Sequence, residues 1–157
     1  MTEGSLITDE LRALIGVAWE PAVFKIEEGA IQRYAQAIGD PNPMFNDPEY
    51  ARMTRHGRLL APPGFTGWPV REARAKEKLF DTLIKAGGPP RILDAGVEFE
   101  FFETIGAGDI LTATLSVASI TERDTRLGRT MFTAAETTYL NQKGDLVLRS
   151  RSTLMQF

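Results

Sequence analysis

The second half of this chain constrains its fold most, because four stretches of alternating apolar and polar residues follow one another with only tight, glycine-bearing separators between them. The pattern predicts strands over 92–105, 110–121, 129–141 and 145–157, connected by GAGD, by a charged turn containing Gly128, and by NQKGD. Val97, Phe99 and Phe101 face one way against Glu98 and Glu100. Met131, Thr133, Ala135 and Thr137 likewise oppose Phe132, Ala134 and Glu136. Connections this short join antiparallel neighbours and leave no room for crossover helices. Helical spacing dominates the first half, so the expectation is an α+β fold in which a curved antiparallel sheet is wrapped around one long helix.

In the first half, Ile31, Tyr34, Ala35 and Ile38 recur at helical spacing and Gly39 supplies a left-handed stop. Pro41 and Pro43 are expected to keep the helix from resuming, which presents Asp40 and Asn42 on a stiff non-helical loop. Asp47 followed by Pro48 reads as the cap and first residue of a second short helix. Upstream, Ser5 or Thr8 caps a short amphipathic helix bearing Leu6, Leu11, Leu14 and Ile15 and ending at Gly16. Segment 1–16 is expected to lie peripherally on one domain spanning 1–157, followed by an irregular edge strand over 17–26 around Pro21. The long helix is expected to begin near Pro62 or Pro63 and to kink at Trp68, before Pro69. It continues through the charged stretch 71–78 to Leu79, Phe80, Leu83 and Ile84, and stops at Gly87, Gly88, Pro89 and Pro90.

Composition removes several classes of function. The 157 residues include no cysteine and one histidine, so neither a disulfide nor a protein-only zinc site of the usual kind can be assembled and no metal is expected. A formal net charge of -3 gives no pull towards nucleic acid, and no glycine-rich phosphate loop, dinucleotide fingerprint or nucleophile elbow is present. No stretch is apolar and long enough to span a bilayer, and the first residues lack a cationic segment followed by an apolar run, so a cytoplasmic protein is expected.

The stretch GDPNPMFNDPEYA, Gly39 to Ala51, resembles the hydratase motif of the MaoC-like (R)-specific enoyl-thioester hydratases and 3-hydroxyacyl-thioester dehydratases, which reads G-D-x-N-P, an aliphatic residue, His, five residues and a small one. Gly39, Asp40, Asn42, Pro43 and Ala51 fall on that pattern, Met44 takes the aliphatic position, and Phe45 stands where the family has His. GRLLAPPGF at 57–65, AGVEFEFFETIGAGD at 95–109 and AAETTYLNQKGDLVLRSRSTL at 134–154 also resemble the N-terminal, FAS1-like dehydratase domain of the family. Four matches in the same order are more specific than one motif. The resemblance implies a hot-dog fold, a coenzyme A or acyl-carrier-protein thioester as substrate, and no cofactor. It also implies a dimer, since a lone sheet leaves an edge unpaired.

In the family, Asp and His together hold the water that adds across the double bond. Here Asp40 keeps the carboxylate, but Phe45 can neither donate, accept nor relay a proton. Two readings of Phe45 follow: a ring that plugs the former catalytic pocket, or a wall of an acyl-binding tunnel whose chemistry lies elsewhere. Asn42 is expected to hold the loop or touch substrate, and His56, between arginines beside a turn, to sit in solvent. Gly64 and Phe65 are placed at the start of the long helix, where backbone N–H groups would meet a thioester carbonyl. A branched side chain at Gly64 is expected to block that approach with little loss of fold. Arg71, Arg74, Lys76 and Lys78 alternate with Glu72 and Glu77 and read first as a solvated face. The leading expectation is a hydro-lyase subunit that forms the acyl-binding half of a hetero-oligomer completed by a His-bearing relative. The alternatives are a non-catalytic acyl-thioester-binding homodimer and, less favoured, an enzyme using Asp40 without His.

Overall fold

The computed structural model describes residues 4–67 and 70–157, with the side chains from residue 75 onward in the helix that starts at Val70. Five helices and five strands follow in the order α1 (Asp9–Ala13), β1 (Ala22–Lys25), α2 (Glu28–Ala37), α3 (Pro43–Asn46), α4 (Pro48–Met53), α5 (Val70–Lys85), β2 (Ile92–Phe101), β3 (Ile110–Thr125), β4 (Gly128–Leu140) and β5 (Leu146–Gln156). The strands form one antiparallel sheet in the order β1-β3-β4-β5-β2. Register shifts at Asp94/Gly96 and Val117/Ser119 bend the sheet, because each leaves one residue unpaired and increases the local twist.

The period-two pattern sets which side of the sheet is buried. Leu115, Val117, Ile120, Met131, Ala135 and Leu154 pack against Leu79 and Leu83 of α5. Leu11 of α1 joins the same cluster and is fully buried, so α1 closes the core at that end. Thr8 caps α1 by accepting from the Leu11 N–H, and its hydroxyl donates to the Ala86 carbonyl at the end of α5. A second cluster lies nearer α2 and gathers Ile26, Ile31, Leu59, Phe65, Leu111, Tyr139 and Leu148.

Three local expectations are corrected. First, α5 starts at Val70, and residues 62–67 are a loop. The Phe65 N–H donates to the Pro62 carbonyl with Gly64 at φ +92°, so Pro63 and Gly64 form the corner of a turn and not the first turn of a helix. The expected kink at Trp68 lies outside the described residues. Second, Pro43 does not prevent a helix; it begins α3, with Asn42 accepting from the Met44 N–H as its cap. Third, the edge strand before α2 is only four residues long. Gly16 and Trp19 instead donate directly to the carbonyls of Val117 and Leu115, so the N-terminal segment and β1 together cover the outer edge of β3. Among the described residues the opposite edge strand, β2, is bonded only to β5.

Candidate functional site

The loop after α2 is built by its own hydrogen bonds. Asp40 donates its N–H to the Ala35 carbonyl and Gly39 donates to Gln36, with Gly39 at φ +71°; this pairing satisfies the last carbonyls of α2 and requires the left-handed residue. The Asp40 carboxylate accepts from the Asn42 N–H at 2.9 Å, and Asn42 Oδ1 accepts from the Met44 N–H at 3.0 Å. The Asn46 amide donates to the carbonyls of both Asp40 and Asn42. Asp47 then caps α4 through the N–H groups of Glu49 and Tyr50. The polar residues of the motif are thus occupied in shaping the loop.

Phe45 is the residue that this loop delivers to a cleft. Its ring packs on the cluster near α2 and lines an apolar cleft of about 470 Å³ with Leu60, Pro62, Phe65, Phe101 and Ile105. The wall at Leu60 is fixed because its N–H donates to the Met44 carbonyl and Ala61 donates to Ile105. A neighbouring cleft of about 390 Å³ holds Tyr34, Gly64, Thr66, Phe99, Tyr139 and Ser150. Phe65 borders both clefts, and its ring lies 5.0 Å from that of Tyr34. The structure therefore brings Phe45, Phe65 and Gly64 together around adjoining apolar spaces. Asp40 and Asn42 line neither cleft, nor does His56, whose Nε2 accepts from Arg55.

Gly64 carries a correction to its expected tolerance. A Cβ there would lie 3.2 Å from the Tyr34 hydroxyl, on a backbone at φ +92° that side chains rarely adopt. Gly64→Val is expected to lower stability by about 2 kcal/mol even without ligand, because a β-branched residue is strained at positive φ. Thermal unfolding of the variant checks this, and an unchanged midpoint would show that the loop relaxes freely.

One strongly organised polar group was not singled out from the sequence. Asp109, at the end of the GAGD connection, is buried and accepts two bonds from the Arg58 guanidinium, at 2.6 and 2.9 Å, and one from the Gly106 N–H at 2.9 Å. Burial by itself would raise its pKa, but the hydrogen bonds from Arg58 and Gly106, with the Arg58 charge, hold the carboxyl below its ordinary value. The pair ties the strand-like segment 57–61, one wall of the Phe45 cleft, to the start of β3. The sequence signal was present in the GRLL and GAGD stretches, but their contact spans 51 positions and no local spacing reveals it.

A curved five-stranded antiparallel sheet packed on one long helix, with proline- and glycine-built loops around an apolar cleft, defines a hot-dog fold of the dehydratase type. The chain matches the family described as FAS1-like, dehydratase domain region, over residues 13–150, and belongs to that family. It is 32% identical over 139 residues to a probable enoyl-CoA hydratase alpha subunit of Thermomonospora curvata, covering 81% of this chain and 43% of that protein. The present sequence therefore spans less than half the length of that relative. Among solved structures it is similar to the C-terminally truncated HadBC (3R-hydroxyacyl-ACP dehydratase) complex of Mycobacterium tuberculosis. That match has a TM-score of 0.70 and 25% identity and covers 95% of this chain and 98% of the other. It is also similar to a MaoC-like dehydratase of Rhodospirillum rubrum, with a TM-score of 0.61 and 26% identity, covering 91% and 92%. Among the described residues no helix is long and apolar enough to cross a membrane.

Proposed function

We propose that this chain is the acyl-thioester-binding subunit of an enoyl-thioester hydratase or 3-hydroxyacyl-thioester dehydratase, working beside a related hot-dog subunit that supplies the proton-transferring His. The observation that carries this reading is Phe45. It occupies the family's His position, its ring lines the apolar cleft, and the one motif carboxylate, Asp40, is bonded within its own loop and lines neither cleft. Hydration needs a positioned acid and base. The cleft offers instead aromatic and aliphatic walls suited to an acyl chain, with Phe45, Gly64 and Phe65 as the contacts and Asn42 as a support of the loop. Coenzyme A and a carrier protein both present such a chain on a pantetheine thioester. The similarity to a hydratase alpha subunit and to a dehydratase complex supports the subunit role.

The test is a complex of this chain with a relative carrying the intact motif. Asp40→Asn in this chain is expected to leave turnover within about twofold, while the same change in the relative's motif is expected to lower it by about 10²-fold or more, the usual loss when a positioned acid or base is removed. A large loss from Asp40→Asn here would overturn the assignment.

A further inference from the structure

Lys76 lies on the stripe of α5 that faces the sheet. It stands three residues before Leu79 and seven before Leu83, a spacing that puts all three on one side of the helix, and both leucines are buried in the core. Its neighbours Glu77 and Lys78 are exposed, as a solvated face requires, but Lys76 is half-buried. It lines the second cleft, of about 390 Å³, and makes no ion pair among the described residues. A partly buried ammonium without a counter-charge is costly, and an anion brought from outside would stabilise it.

The rest of that cleft suits the same guest. Helical side chains lean towards the N-terminus of their helix, which brings Lys76 back towards the loop whose Gly64, Phe65 and Thr66 line the same space. From the sheet, Ser150 stands in one row between Thr137 of β4 and Phe99 of β2. Tyr34, Thr66 and Ser150 all line the cleft, and their hydroxyls make no hydrogen bond among the described residues. Among the described residues no carboxylate lines it, whereas Glu103 borders the Phe45 cleft. One ammonium and three unengaged hydroxyls, set among Phe65, Val97 and Phe99, are donors awaiting an acceptor.

We propose that the second cleft binds a carboxylate, so that the thioesters held by this chain include acyl groups ending in one, with Lys76 as the specificity-determining residue. Phe65 walls both clefts, so a chain laid against Phe45 in the first ends beside Lys76 in the second. There the ammonium offsets the negative charge, and Tyr34, Thr66 and Ser150 donate to its two oxygens. The other anion that a thioester brings is a phosphate of its carrier. The apolar walls favour the carboxylate, which arrives on an apolar stem. The proposal rests on the reading of this chain as an acyl-thioester-binding subunit and names the class of acyl group.

Calorimetric titration of the full chain tests it, with enoyl-CoA thioesters ending in a carboxylate, methyl-ended thioesters of the same lengths, and coenzyme A alone. Wild type is expected to bind the carboxyl-ended ligand of the best-fitting length about tenfold or more tightly than its methyl-ended counterpart, the gain from hydrogen bonds to a charged group. Lys76→Met is expected to abolish that preference and Lys76→Arg to keep most of it. The methyl-ended ligand controls for folding, since Lys76→Met should leave its affinity unchanged. Equal wild-type affinity for the two ligands at every length would overturn the proposal. So would an equal loss in Lys76→Met for both ligands and for coenzyme A, which would assign Lys76 to a carrier phosphate. In either case thioester binding persists and the acyl-binding role stands; binding of neither thioester by wild type would strike that role itself.

Discussion

Purified alone, the chain is expected to hydrate enoyl thioesters about 10²- to 10⁴-fold more slowly than a relative with the intact dyad, the range lost when a positioned acid or base is missing. Water must lose a proton as it adds to the β-carbon, the α-carbon must gain one, and the developing enolate oxygen needs donors. Phe45 has no exchangeable proton. Asp40 accepts from its neighbour Asn42 and stands outside both clefts. The expected backbone donors are also reduced, since the Phe65 N–H is bonded to the Pro62 carbonyl and Gly64 sits in a turn and not at a helix terminus. A steady-state assay on short and long enoyl thioesters measures the rate. Phe45→His is expected to raise it only in part, because it restores the imidazole without redirecting Asp40.

Asp109→Ala is expected to cost about 2 to 3 kcal/mol, towards the low end for breaking a buried ion pair because the Arg58 side chain keeps 35% of its exposure and stays partly solvated. The loss should appear as a lower urea midpoint with an unchanged slope. The pH dependence follows from the direction of the shift. The folded carboxyl is held below its ordinary value, so its contribution is fully present above the unfolded pKa and disappears as pH falls through the folded one. Wild-type stability should therefore decline in acid more steeply than that of Asp109→Ala. Parallel curves for the two proteins would show that the pair adds nothing.

How much was legible depended on the range of the signal. The alternation of Met131, Thr133, Ala135 and Thr137 is local and period two, so β4 and its neighbours could be placed from the sequence to within a few residues. The stop at Gly39 and the cap at Asp47 were readable for the same reason. Proline was ambiguous, since it begins helices and turns alike. Pro43 begins α3 after Asn42 in the same Asn/Asp-Pro pattern by which Asp47 and Pro48 begin α4. Pro63 followed by Gly64 makes a turn, and the Pro-Gly pair is the better clue, because a helix's first turn does not want a residue at positive φ. The site was visible in part. Phe45 could be seen as a departure from a family pattern, but whether Asp40 reached a cleft depended on the direction of one side chain. The Arg58–Asp109 pair and the joint cleft of Phe45, Phe65 and Phe101 are products of the tertiary fold.

On the proposed function this chain holds an acyl thioester and leaves its hydration to the acid and base of a partner. The most direct measurement titrates the purified chain with a long-chain enoyl-CoA, following binding by the change in intrinsic fluorescence and hydration by the loss of enoyl absorbance in the same sample. Saturable binding that weakens in Phe65→Ala, with hydration about 10²-fold or more below that of an intact hydratase, is the result predicted. Hydration at the rate of an intact hydratase, abolished by Asp40→Asn, would contradict it.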